Sequence, residues 1–448
     1  MTKSNGAVTS KNLKSMEDSF NSKRGNIIAS NASVKSGVVA AATDYREARK
    51  YPFTFSVDLK QGEITDQMNS GRCWIFAAMN TFRYELIKKY NLKSFELSQN
   101  YIFFYDKLEK ANYYFLNAIA LKDEPVDGRL WSFINLDPLC DGGQWDMLAN
   151  IVSKYGVVPS YAYPDSKNAA ASRWLNEFLT SIIRERAISL RKAALGGASA
   201  KELNAQREDA LNDVYRILAI TLGQPPKTFD LILRDEDDKV TTDENITPKE
   251  FFDKYIGIDL SSRISIINAT SEDKPMGKTY SVKYLGNVAE GNPVKYLNLP
   301  IDTFKEAVIA QLKDGHPVWF GSDCMKFSLR EEGIFDRKAC GVEQFFNVKY
   351  NFTKADRLTY GDSAMNHAMV ILGVNIGSDG KPNRWRIENS WGKDAGSKGY
   401  YVCSDSWFDE FVYQAVVDKK YLKAKDRKLW EQAPVMLEPW DPMGTLAD

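Results

Sequence analysis

The order of residue patterns predicts an α+β protein of two lobes meeting at a cleft, helical in its first part and strand-rich in its last third. Three observations carry this. Apolar residues recur at helical spacing from Cys73 through Ile75, Met79, Phe82 and Leu86. Residues 172–222 read as a helical hairpin. Short apolar runs at Val318–Gly321, Ala368–Val374, Trp385–Ile387 and Gly399–Cys403 stand between Gly, Asp and Asn turns, as strands do. The 448 residues are 44% hydrophobic and 26% charged, an ordinary globular composition that excludes a disordered tail protein, a collagen-like repeat and a disulfide-dense mini-domain.

Residues 1–60 are polar and interrupted, an N-terminal arm with one amphipathic helix around Lys11–Phe20. Residues 61–171 form a helical lobe around Cys73, whose helix has Ser70 as a candidate cap and Lys88 and Lys89 at its negative end. Residues 172–300 are a helical insertion with a connecting segment. Gly196 and Gly197 break the hairpin, Ser199 and Glu202 make a capping-box signature, and Gly223, Pro225 and Pro226 end it. The acidic run Asp235–Asp238 reads as a solvated loop. Residues 301–428 form the β-rich lobe, and residues 429–448 a C-terminal arm. Lys419, Lys420, Lys423, Lys425, Arg427 and Lys428 precede that arm, which carries acids but no Lys or Arg.

Lysine and arginine total 59, as do aspartate and glutamate, so no global field attracts nucleic acid or an anionic membrane. No window approaches eighteen uninterrupted apolar residues, and the N-terminus lacks an apolar signal core, so no membrane partner is expected. The five cysteines are scattered without CxxC spacing, as reduced thiols in a cytoplasmic protein are, and no zinc pattern appears.

Histidine scarcity is the sharpest constraint. Only His316 and His367 can supply an imidazole. Cys73 opens a helix, where unpaired N–H groups and the positive dipole end favour thiolate. Gln67, six residues earlier, offers an amide beside the Cys73 N–H as a two-donor oxyanion hole. His367 stands at the entrance to an apolar strand. Asn389 follows at the end of the next, able to accept from the imidazole and fix its tautomer, with Trp391 to cover that bond. Each residue alone has a plain structural reading: a buried thiol, a core histidine, a turn asparagine. His316 sits in a Gly-His-Pro turn with no orienting amide after it.

These stretches, with Cys140-Asp-Gly-Gly-Gln-Trp145, Asn366–Gly373 and Pro439–Ala447, resemble the papain-like cysteine peptidases, and among them the bleomycin hydrolase and bacterial aminopeptidase C branch. The resemblance runs from residue 67 to the end. It implies Cys73 as nucleophile, His367 as general base and acid, Asn389 as its orienter and Gln67 as oxyanion donor, with Trp74 and Trp391 supporting. It implies Gly142, Gly143, Asn366, Ala447 and Asp448 as substrate-binding positions, and no metal or organic cofactor. Secreted papains carry a cysteine where Ser70 stands here, bridged to the counterpart of Cys140, so Cys140 is left without that partner. Cys73 and His367 lie 294 positions apart, against roughly 130–150 in the papain pattern, so insertions are required.

In this branch the C-terminal arm lies in the cleft and its carboxylate holds the ammonium of an incoming peptide. Asp448 is one residue beyond the usual Gly-x-Leu-Ala finish, adding about 3.3–3.6 Å of reach. The resemblance implies a cysteine aminopeptidase acting on short or unfolded peptides through a thioester acyl-enzyme, assembled as a homo-hexamer. The rivals are an oligo-endopeptidase of the same fold and a non-catalytic or nucleic-acid-binding barrel. The basic 419–428 run reads as a solvated face, so nucleic acid is not an expected partner.

Overall fold

The computed structural model describes residues 6–447. Among them, one sheet of twelve strands carries the β-rich lobe. Along its main path the strands run Val435–Leu437, Thr279–Val282, Tyr296–Asn298, Arg263–Ile267, Val412–Asp418, Val318–Ser322, His367–Ile376, Pro382–Glu388 and Tyr400–Ser404, with two short strands beyond. Val57–Asp58 pairs with the His367–Ile376 strand from the side.

That strand reads as a continuous apolar run because it is buried along most of its length. The Cys73–Tyr90 helix and the Ile301–Lys313 helix both pack against it. Its register sets the site. His367 faces Ser322 on one neighbour, and Val370 faces Glu388 on the other. The residue after Glu388 therefore arrives alongside the beginning of the histidine strand.

The Cys73–Tyr90 helix is buried from Cys73 to Tyr84 without a polar face, so the period seen in sequence understates its burial. Ser70 does not cap it. The N-cap is Arg72, without a side-chain cap bond, while the Ser70 hydroxyl donates to the Gln67 carbonyl at 2.6 Å and accepts from Arg72 Nε at 2.9 Å. Arg72 is held by a bidentate pair with Asp165 at 2.9 and 2.8 Å.

The hairpin forms as Arg173–Leu195 and Ala200–Leu222. Its capping box is present, with Ser199 N–H donating to Glu202 at 2.8 Å. Asp235–Asp238 lies at the exposed turn of a two-stranded hairpin, Phe229–Arg234 with Val240–Ile246. The boundary placed at residue 300 differs from the sheet. Three strands between Arg263 and Asn298 belong to it, and Arg263–Ile267 pairs directly with Val412–Asp418. Their short, irregularly spaced apolar runs hide a pairing that is entirely long-range.

The N-terminal arm is helical over Ser10–Asn21 and Arg24–Ser36, and neither helix buries a side chain. The basic run is a surface: Lys420 and Lys423 pair with Asp314 and Glu306 at 2.9 and 2.5 Å.

Candidate active site

The site lies where the start of the Cys73–Tyr90 helix meets the start of the His367–Ile376 strand. Asn389 Oδ1 accepts from the Ser390 N–H at 2.8 Å and lies 2.8 Å from His367 Nε2. An oxygen already accepting is an acceptor for the imidazole too, so Nε2 carries the proton of the neutral ring and Nδ1 keeps its lone pair. Trp391 stacks on the imidazole at 4.8 Å between centroids, covering this bond. The backbone N–H groups of Ala368, Trp74 and Cys73 itself favour the Cys73 thiolate, and Ala368 is the residue after His367.

Burial decides the resting charges. It pushes the Cys73 thiol up to about 11, against the pull of those N–H groups, and pushes His367 down to about 4, against its bond to Asn389. The N–H groups at the helix start pull toward the thiolate, as the sequence leads one to expect, while burial opposes them. Burial thus holds each group toward its neutral form.

Gln67 is fixed at both ends of its amide. Oε1 accepts from the Ser390 hydroxyl at 2.7 Å, and Nε2 donates to the Ser70 carbonyl at 2.7 Å. A primary amide has a second N–H, which stays available to a developing oxyanion. The Asn389-Ser390 turn thus orients both His367 and Gln67.

Gly142 and Gly143 form a floor that a side chain would spoil. A Cβ on Gly143 would come within 2.5 Å of the Trp74 ring, and one on Gly142 would strike the Leu446 carbonyl. The residue lying on that floor is the chain's own. Gly143 N–H donates to the Leu446 carbonyl at 3.0 Å, Cys140 Sγ to the Ala447 carbonyl at 2.6 Å, and Thr445 Oγ1 to the Met365 carbonyl at 2.8 Å. Burial pushes the Cys140 thiol up, so it retains the proton it donates. Asp448 lies outside the described residues. Beside Ala447 and Cys140 opens a mainly apolar pocket of about 180 Å³ that also touches Tyr113, Phe133 and Pro439; Cys73 does not line it.

Asn366 is committed internally. Its amide donates to Asp323 at 2.6 Å and accepts from the Cys324 N–H at 3.2 Å. His316 pairs with Glu85 at 2.6 Å, on the flank of the nucleophile helix. All five cysteines are free and buried.

Sequence reasoning missed the groups that fasten the site from beneath. Asp141 accepts from Gly71 N–H, Ser172 and Asn176 and pairs with Lys107 at 2.7 Å, joining nucleophile loop, hairpin and glycine floor. Burial alone would raise its carboxyl, but Lys107 and the hydrogen bonds hold it well below the usual range. Lys110 donates to the carbonyls of Cys140 and Gly142 at 2.9 and 2.6 Å. Arg83 of the nucleophile helix pairs with Glu388 at 2.8 Å, and both are buried. Asp141 and Glu388 had a signal: each is a charged residue inside an otherwise apolar or glycine-rich motif. The lysines had none.

The Peptidase C1-like family model matches residues 7–444. The chain is 47% identical over 423 residues to aminopeptidase C of Lactobacillus helveticus, covering 94% of each. It is 42% identical over 404 residues to bleomycin hydrolase of Gallus gallus, covering 88% of each. The crystal structure of pepw from Lactobacillus rhamnosis superposes with a TM-score of 0.95 at 43% identity, over 98% of this chain and 99% of that one.

Proposed function

The chain belongs to the Peptidase C1-like family, and from that premise we propose how its site works as a cysteine-type aminopeptidase. The observation that carries the reading is the arm on the glycine floor. Gly143 N–H, a donor suited to a peptide carbonyl, is occupied by Leu446 of the same chain. A groove filled at one end admits only the amino-terminal residue of a peptide, which meets the end of the arm.

Proton transfer from Cys73 to His367 Nδ1 makes the attacking thiolate. Sulfur adds to the first carbonyl carbon of the peptide, and the oxyanion takes donors from Gln67 Nε2 and the Cys73 N–H. Loss of such a donor costs about 10²–10³ in rate. The imidazolium, held by Asn389, protonates the leaving amine, leaving a thioester. His367 then draws a proton from water, which attacks the thioester and frees the amino acid and the thiol. An asparagine orienter adds no charge that would pin the imidazolium.

We further infer short or unfolded peptides as substrates, because the closed groove excludes a folded chain. The exposed apolar residues of the N-terminal helices, among them Leu13, Phe20, Ile28 and Val34, support self-assembly, for which the resemblance suggests a hexamer. Five unbridged cysteines favour the cytoplasm. No described helix is long and apolar enough to cross a membrane. No observation favours the endopeptidase or nucleic-acid reading.

The test is hydrolysis of aminoacyl-arylamides. Iodoacetamide or Cys73→Ala should abolish it and EDTA should not; full activity in Cys73→Ala would overturn the mechanism.

A further inference from the structure

We propose that Arg330 forms a carboxylate-recognising subsite on the leaving-peptide side of the cleft, stacked on Trp391 next to His367. The inference rests on the reading of His367 as the group that protonates the leaving amine. The Arg330 guanidinium carbon lies 4.0 Å from the centre of the Trp391 ring. The same ring stacks on His367 with an interplanar angle of 27°. One indole thus lies against both the imidazole and the guanidinium.

Arg330 is exposed and stacked without an ion pair, as Arg129 over Trp440 also is, but Arg330 lies over the ring that stacks on His367. Arg72, Arg83, Arg337, Arg357 and Arg386 all pair with carboxylates. Among the described residues Arg330 has no carboxylate within ion-pair distance and donates no side-chain hydrogen bond, although it is exposed. Its backbone is held nonetheless. The Arg330 carbonyl accepts from Gly396 N–H and from the Tyr401 hydroxyl, each at 3.2 Å, and the preceding Leu329 is fully buried. A guanidinium stacked on an indole keeps its edge free and loses little freedom on binding, which suits bidentate pairing with a carboxylate.

The direction of the substrate follows from the arm. The arm touches Gly142, Gly143, Gln144, Gly321 and Met365, and none of its described contacts reaches Trp391 or Arg330. The leaving amine must lie against His367, so the departing peptide passes over Trp391. At about 3.3–3.6 Å per residue, a carboxylate on the second leaving residue reaches past the indole. That carboxylate is either the free C-terminus of a tripeptide or an Asp or Glu side chain in a longer one.

The experiment measures kcat/KM for one tripeptide as its free acid and as its amide. A second pair is a pentapeptide amide with Glu or Gln at the second leaving position. Each pair is assayed on single preparations of the full chain, Arg330→Ala and Arg330→Lys, so that loss of folded enzyme cancels in the ratio. The full chain should prefer the carboxylate member of at least one pair by about tenfold. Arg330→Ala should bring that ratio to about one, and Arg330→Lys should restore part of it. Collapse of the first ratio identifies the C-terminus as the source, and of the second the side chain. Ratios in Arg330→Ala equal to those of the full chain in both pairs would overturn the proposal. Turnover of an aminoacyl-arylamide by the same preparations separates the two levels. Its absence defeats the peptidase reading, whereas its presence with unmoved ratios defeats the Arg330 subsite alone.

Discussion

Residues 10–42 and residues 435–447 are both terminal, both short elements joined by turns, and they meet the body of the protein in opposite ways. The first stretch buries one side chain, Ala42, and leaves Leu13, Phe20, Ile28 and Val34 facing outward. The second pairs a strand with Thr279–Val282 and buries Leu437, Met443, Leu446 and Ala447. Its carbonyls accept from Tyr296 and from Gly143 and Cys140 of one loop, donors on two separate segments. A buried carbonyl must find a donor, and two of these donors lie on the Cys140–Gly143 loop, so the arm is fastened over the glycine floor. The N-terminal helices make no such bonds and have apolar surface to spare, as an assembly element does.

The contrast can be broken experimentally. Cys73→Ala should lower kcat by at least about 10⁴-fold on every substrate, because no other described thiol occupies the helix start. Removing residues 438–448 should lower kcat/KM for free peptides by about 10²-fold, the worth of a charge-assisted contact, and permit cleavage of N-acetylated ones. Removing residues 1–42 should leave the ratio between those substrates unchanged. Sedimentation should then show a smaller assembly, with the monomer's unfolding free energy within about 0.5 kcal/mol.

Beneath the cleft, Arg83→Met should destabilise the chain by about 3–5 kcal/mol in urea, since it strands the buried Glu388 carboxylate. A further effect is in pH. The unfolded imidazole takes up a proton near the usual 6.5 and His367 in the folded chain only near 4, so the unfolded state binds more protons between them. Stability therefore falls as pH falls through that window. The urea midpoint should drop less from pH 7 to pH 4 in His367→Gln than in the parent chain.

Cys73, His367, Asn389 and Gln67 stood out in the sequence because each sits at the junction of a periodic element and a turn, a pattern that a local window contains. The hairpin was legible down to its Ser199–Glu202 box for the same local reason. Pairing between distant segments was not. The strands within residues 263–298 gain their identity from partners such as Val412–Asp418, which no local window contains. The pull of the helix start on the Cys73 thiol is local and so legible, whereas the burial that opposes it is a property of the assembled cleft. Lys107 and Lys110 carry no local mark of their role, because their partners lie on the distant Cys140–Gly143 loop.

The most direct test of the arm as a wall is the ratio of kcat/KM for one peptide with a free and with an acetylated amino terminus, measured on the full chain and on the chain lacking residues 438–448. The account predicts that the full chain cleaves only the free peptide and that the shortened chain cleaves both. Equal cleavage of both peptides by the full chain would contradict it.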